Sequence, residues 1–146
     1  MKPKRTPRPA LPPPGLRPKL RRDQLRDLAL CHIQAMDSIA RGDAQSSTLW
    51  QVAEAALVWS RAAYLMHIGE AEMQAQLELA LSLIVRYKRT GRVAFSGPEY
   101  QAAKAGVAVM DELAEHTDRA TALAACEWAD RRISAVRDAS RARAAA

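Results

Sequence analysis

The sequence predicts an all-α protein: an antiparallel bundle of about five helices behind a disordered, basic, proline-rich N-terminal tail. Two observations predict the bundle and a third predicts the tail. Apolar residues recur at steps of three and four over five separate stretches, with no strand-like alternation of useful length anywhere. Glycines and capping residues punctuate those stretches at short intervals, so consecutive helices must turn back on one another. Seven of the eight prolines fall between Pro3 and Pro18, where a fixed φ and a missing amide hydrogen forbid regular helix.

The domain organisation expected from this is a tail over residues 1–22, a helical domain over 23–137 and a frayed C-terminus over 138–146. Helix 1 is expected from Asp23, as N-cap, to Ala40, with Leu25, Ala29, His32, Met36 and Ile39 on one face and Gly42 as the stop. Helix 2 is expected from Thr48, with Gln51 at capping-box spacing, to Ile68, and Gly69 ends it. It is apolar on two faces: Trp50, Ala53, Leu57 and Tyr64 on one, Val52, Ala56, Trp59, Ala63 and Met66 on the other. A helix of that kind is central in a bundle or shared with a second subunit. The expectation is a homodimer to which Trp59 and Met66 contribute, a fifth helix over that face being the other solution.

Helix 3 is expected over 70–89, with Met73, Leu77, Ala80, Ile84 and Tyr87 inward, Glu70 and Glu72 at its start and Arg86, Lys88 and Arg89 at its end. Those charges suit the helix dipole at each terminus. After Gly91, Val93-Ala94-Phe95 is a short extended candidate. Helix 4 begins at Ser96, with Pro98 in the first turn and Glu99 at capping-box spacing. Its inner face is Tyr100, Ala103, Val107, Met110 and Ala114, and the small Ala102 and Gly106 permit close helix approach. Helix 5 is capped by Thr117 or Asp118 and runs to about Arg137, with Ala122, Cys126, Ala129, Ile133 and Val136 as its seam. Leu57, Leu77, Ile84 and Val107 are expected to be buried.

Charge is distributed unevenly. The formal net charge of the chain is +6. Residues 1–22 hold eight basic groups and no acid: Lys2, Lys4, Arg5, Arg8, Arg17, Lys19, Arg21 and Arg22. The other 124 residues carry 14 basic and 16 acidic groups, so the high isoelectric point belongs to the tail. Such an arm meets DNA or RNA mainly at phosphates. The helix 3–4 junction, Arg86 to Gly97, is the second candidate: Lys88, Arg89 and Arg92 lie beside free amides of a helix N-terminus, where phosphate groups bind.

Motifs for catalysis are absent. There is no P-loop, GxGxxG, HExxH or GxSxG, which points away from an enzyme and from a bound cofactor or metal. Cys31 and Cys126 stand 95 residues apart without ligand spacing and read as reduced, buried thiols. His32 reads as a core or boundary histidine and His67 as a cation in the last turn of helix 2; spacing assigns no role to His116. Asp111, Glu112, Glu115 and Asp118 make an acidic end to helix 4, read as a solvated face, with docking of a basic partner or of the tail as the sharper alternative. No apolar run of about 18 residues occurs, so no membrane span is expected, and the cytoplasm follows by default. A helix-turn-helix over Asp118–Val136 fails, because Glu127 falls where an apolar anchor belongs and the helical pattern runs through without a turn.

The stretch from Arg22 to Val136 resembles a group of short, uncharacterised helical proteins of Gram-negative bacteria and their mobile elements. Arg22-Asp23-Gln24-Leu25, Arg89-Thr90-Gly91-Arg92 and Ser96-Gly97-Pro98-Glu99-Tyr100 carry the resemblance. Some of those proteins bear an automatic label of Fis-family transcriptional regulator, so the resemblance implies a regulatory role; it carries no site residues across. The functional expectation is a non-enzymatic accessory or regulatory protein, whose helical domain binds a protein partner or itself while the tail contacts nucleic acid. The alternative is a helical adaptor or inhibitor with no nucleic-acid role.

Overall fold

The computed structural model describes residues 18–146. The tail cations Lys2, Lys4, Arg5, Arg8 and Arg17 lie outside the described residues. Within them the protein is all-α: α1 (Arg22–Arg41), α2 (Ser46–Met66), α3 (Glu70–Thr90), α4 (Gly97–His116) and α5 (Arg119–Ala144). The connections are two to six residues long, and each turns the chain back.

Local chemistry explains the ends. Gln24 accepts from the Arg21 amide at 3.0 Å, so Arg21, not Asp23, is the N-cap of α1. Asp23 sits in the first turn and pairs with Arg21 at 3.1 Å. The expected Thr48–Gln51 box is replaced by one three residues earlier, in which Thr48 Oγ1 accepts from the Gln45 amide. At the other end of α2 the left-handed residue is His67 (φ 56°), and Gly69 (φ 69°) instead precedes α3. Gly69 packs under α4, where a Cβ would lie 3.3 Å from Val109 Cγ1. Ser96 and Glu99 cap α4 reciprocally, as the sequence implied. Asp118 caps α5 through the Thr121 amide at 2.8 Å. That helix does not stop near Arg137 but continues to Ala144, so the frayed segment expected over 138–146 is mostly helix. Val93-Ala94-Phe95 is not a strand: Val93 is a buried plug in the α3–α4 connection.

The centre of the molecule is α2, which packs against all four other helices. Helices α1 to α4 form a ring in which the backbones of α1 and α3 stay apart, and α5 lies outside it, with α2 as the one helix whose backbone it approaches closely. The core includes Ile39, Leu49, Met73, Leu83 and Leu113, together with Ala53, Ala56, Ala62 and Ala63 of α2. Those alanines keep the backbones of its neighbours close. Ile84 is buried as expected, whereas Leu57, Leu77 and Val107 are half-buried. On α5 Ala129 is buried and Ala122 and Ile133 are half-buried, as expected, whereas Ala125 takes the inward place given to Cys126, and Cys126 and Val136 are exposed.

The two side chains expected on a self-association face are largely covered within the chain. Trp59 is only 5% exposed and belongs to the core, and Met66 is half-buried, its sulfur accepting a hydrogen bond from Thr117 Oγ1 at 3.3 Å. Trp59 is thus covered within the chain, and α5 packs on α2. On the opposite side of α2, Trp50 and Tyr64 are each 53% exposed.

Candidate functional site

The last residues before α1 are part of the fold. The first-turn amide of Arg119 is a donor that α5 cannot satisfy itself, and it donates to the Pro18 carbonyl at 2.8 Å. Lys19 forms a bridge to Asp118 and donates through Nζ to the His116 carbonyl at 2.6 Å. Residues 18–20, expected as free tail, therefore pair with the α4–α5 corner. The Lys19 ammonium meets a carbonyl there, while Arg21 is engaged by Asp23 and Arg22 is exposed.

The α3–α4 junction is occupied by its own contacts. Arg86 makes a two-pronged pair with Glu99 and donates to the Ala94 carbonyl at 2.9 Å. Glu99 also accepts from the Ser96 amide at 2.8 Å. Its carboxyl is held down to about 2, first by the Arg86 hydrogen bonds and then by the Ser96 amide, and Arg86 is raised in turn. A carboxylate thus already stands at the amides where a phosphate was expected. Phe95 is half-buried, 6.0 Å from the Tyr100 ring. Lys88, Arg89 and Arg92 are exposed, with no acidic partner among the described residues.

The two expected cationic groups do not meet. Lys19 is fixed at the C-terminal end of α4, and Arg89 and Arg92 lie beyond its N-terminus. A 20-residue helix separates them, about 30 Å at 1.5 Å per residue.

A different cationic surface forms where α2 meets α5. The Arg61 guanidinium lies over both the Tyr64 ring (4.9 Å) and the Trp128 ring (5.1 Å), and Arg132 lies over Trp128 at 5.4 Å. His67 extends the row, 6.3 Å from Tyr64. Neither Arg61 nor Arg132 has an acidic partner among the described residues. Beyond Trp128, α5 presents Arg131, Arg137, Arg141 and Arg143 against the two acids Asp130 and Asp138. The sequence held a signal for this surface in Arg61–Tyr64 and Trp128–Arg132, arginine–aromatic pairs at helical spacing. Periodicity could not say that the two pairs face each other.

On the other side of α5, a groove of about 580 Å³ runs over α2 between α1 and α5. Its floor is apolar, with Val58, Trp59 and Ala62, and Asp27 and Glu54 stand on its walls. Cys31 and Cys126 both line it and both are exposed, not buried as expected. The Cys126 thiol is pushed up by partial burial and then by the charges of Asp130 and Glu54. No Cα of α1 comes within 8 Å of α5, so the two thiols lie beyond disulfide reach. His32 is buried, as expected, with Nδ1 3.3 Å from Asp111 Oδ1. His67 is exposed, 3.5 Å from Glu70, and His116 contributes only its carbonyl to Lys19. The acidic end of α4 is divided among tasks: Asp111 faces His32, and Asp118 caps α5.

Among the described residues, no three of His, Cys, Asp or Glu gather as a metal would require, and no helix is long and apolar enough to cross a membrane. No family model, curated protein or solved structure matches the chain.

Proposed function

We propose that this chain is a non-enzymatic accessory protein that contacts nucleic acid, using the arginine–aromatic face of α2 and α5 together with the cations of residues 1–22. One observation carries the reading: Arg61, Tyr64, Trp128 and Arg132 form a continuous row of stacked rings and guanidinium groups. Unpaired arginines attract phosphates, and aromatic faces with stacked arginines accept unpaired bases whatever their identity. The chain before α1 joins the fold at Asp118 and Arg119, about 14 Å along α5 from Trp128 at 1.5 Å per residue. Its charges and the face therefore serve one strand. Single-stranded DNA or RNA is the favoured partner, bound with little sequence preference.

Fluorescence anisotropy with labelled single-stranded oligonucleotides at about 50 mM salt tests this, with affinity expected to fall steeply as salt rises. The paired change Arg61→Ala and Arg132→Ala should weaken binding by about tenfold or more, and Trp128→Ala by a similar factor. Replacing Lys2, Lys4, Arg5, Arg8 and Arg17 by glutamine should weaken it further and flatten the salt dependence. Arg89→Ala with Arg92→Ala should change little. Native protein that ignores both nucleic acids at that salt would sink the reading.

A second reading, a helical adaptor with no nucleic-acid role, draws on the groove between α1 and α5. Its apolar floor and the acids Asp27 and Glu54 suit an amphipathic partner helix with basic flanks. Filling the groove by Ala55→Trp would then abolish partner capture while Arg61→Ala leaves it intact.

A further inference from the structure

Between the helices of the α1–α4 bundle lies a second cavity, of about 280 Å³, partly open to solvent. Among the described residues, its wall contains no Asp, Glu, Lys or Arg. Leu28, Met36, Leu79, Phe95, Val107 and Met110 supply most of its lining. Against that apolar background stand two polar side chains that are more than nine-tenths buried, Gln76 (6% exposed) and His32 (8% exposed).

Gln76 makes no side-chain hydrogen bond among the described residues. Among the described residues no buried side-chain nitrogen or oxygen is sealed off without a partner, so the Gln76 amide keeps some accessible surface. The amide rests on the α4 backbone at Gly106, where any Cβ would fall 2.1 Å from Oε1. Two costly choices meet at this point: a largely buried amide without a fixed partner in the fold, and a glycine in the middle of a helix. A leucine at position 76 would fill the same wall without either cost. His32 is steadied by Asp111 at Nδ1, and its Nε2 has no partner among the described residues.

We propose that this cavity is a binding site for a small, neutral, largely apolar molecule with one hydrogen-bonding head group, which pairs with the Gln76 amide. A primary amide both donates and accepts, so it complements a carboxamide or an alcohol. The absence of formal charge on the wall disfavours an ionised ligand, whose burial needs an opposite charge. The volume is roughly twice the ~150 Å³ of a cavity that takes benzene, room for a chain of about six to eight carbons. Leu28, Cys31, His32, Gln51 and Ala55, at the α1–α2 seam, line both this cavity and the outer groove and separate the two. The ligand pocket is thus coupled to the floor of that groove through α1.

The test is a titration of the ¹⁵N-labelled full-length protein with hexanamide, and separately with heptane, followed by NMR at the Gln76 side-chain NH₂ signal. That signal is assigned by its disappearance in Gln76→Leu, or in Gln76→Met if the leucine variant does not fold. Saturable displacement of the signal by hexanamide, and an affinity for hexanamide about tenfold above that for heptane, are expected; tenfold is the worth of about one net hydrogen bond. The preference should vanish in the Gln76 variant. A Gln76 signal unmoved by millimolar hexanamide in the native protein overturns the proposal. So does equal affinity for the two probes.

Discussion

The Gln76 amide and the Gly106 backbone are packed so closely that a β-carbon on residue 106 would lie within 2.1–2.6 Å of three amide atoms. This contact sets the approach of α3 to α4 and places a polar group on the wall of the central cavity. Gly106→Ala should therefore destabilise the protein by about 1–3 kcal/mol, despite the gain of about 1 kcal/mol in helix propensity. In a Gln76→Ala background the obstacle is gone, and the same change should be neutral or stabilising. Urea denaturation of the four proteins of this cycle checks it; additive effects would show that the contact yields freely.

Glu99 stabilises the α3–α4 corner in its charged form. Its folded value, about 2, lies below the ordinary carboxylate value of 4.5, so its contribution is complete above about pH 5 and is lost as pH falls toward 2. With Arg86 partly exposed, the contribution should be about 2 kcal/mol or less. Glu99→Gln should lower the unfolding midpoint at pH 7 and make almost no difference at pH 2. A gap between native and variant that stays constant from pH 7 to pH 2 would exclude this role.

Residues 18–22 should contribute measurably to stability. A chain beginning at Asp23 loses the Pro18–Arg119 and Lys19–His116 hydrogen bonds, the Arg21 cap and the packing of Leu20. Relative to a chain beginning at Pro18, the loss should be about 1–3 kcal/mol. Thermal unfolding of the two chains by circular dichroism decides it, and equal midpoints would mean these contacts carry no weight.

Trp59→Ala should behave as a core truncation and cost about 3–5 kcal/mol. Were Trp59 part of a subunit interface, the same change would shift the sedimentation profile while a monomeric fold survived. Trp50→Ala and Tyr64→Ala, at exposed positions, should each stay within about 1 kcal/mol of the native protein.

The five helices and several of their ends were legible in the residues. Gly42, Gly91, Asp118 and the Ser96–Glu99 pair act within one helical turn, so a local sequence suffices to place them. The apolar stripes were legible for the same reason, because a period of 3.6 residues needs only the helix itself. Tertiary structure alone decided which surface each stripe meets. Two apolar faces on α2 are satisfied equally well by a second subunit or by a fifth helix; only the fold shows Trp59 buried within the chain and α5 packed on α2. The pairing of Arg61 with Trp128, the seat of Gln76 on Gly106 and the 30 Å gap between Lys19 and Arg92 (about the length of α4) likewise join residues far apart in the chain. Periodicity reports that a side chain must be buried. Its partner depends on how whole helices pack, a choice made by many weak contacts at once and written in no single segment.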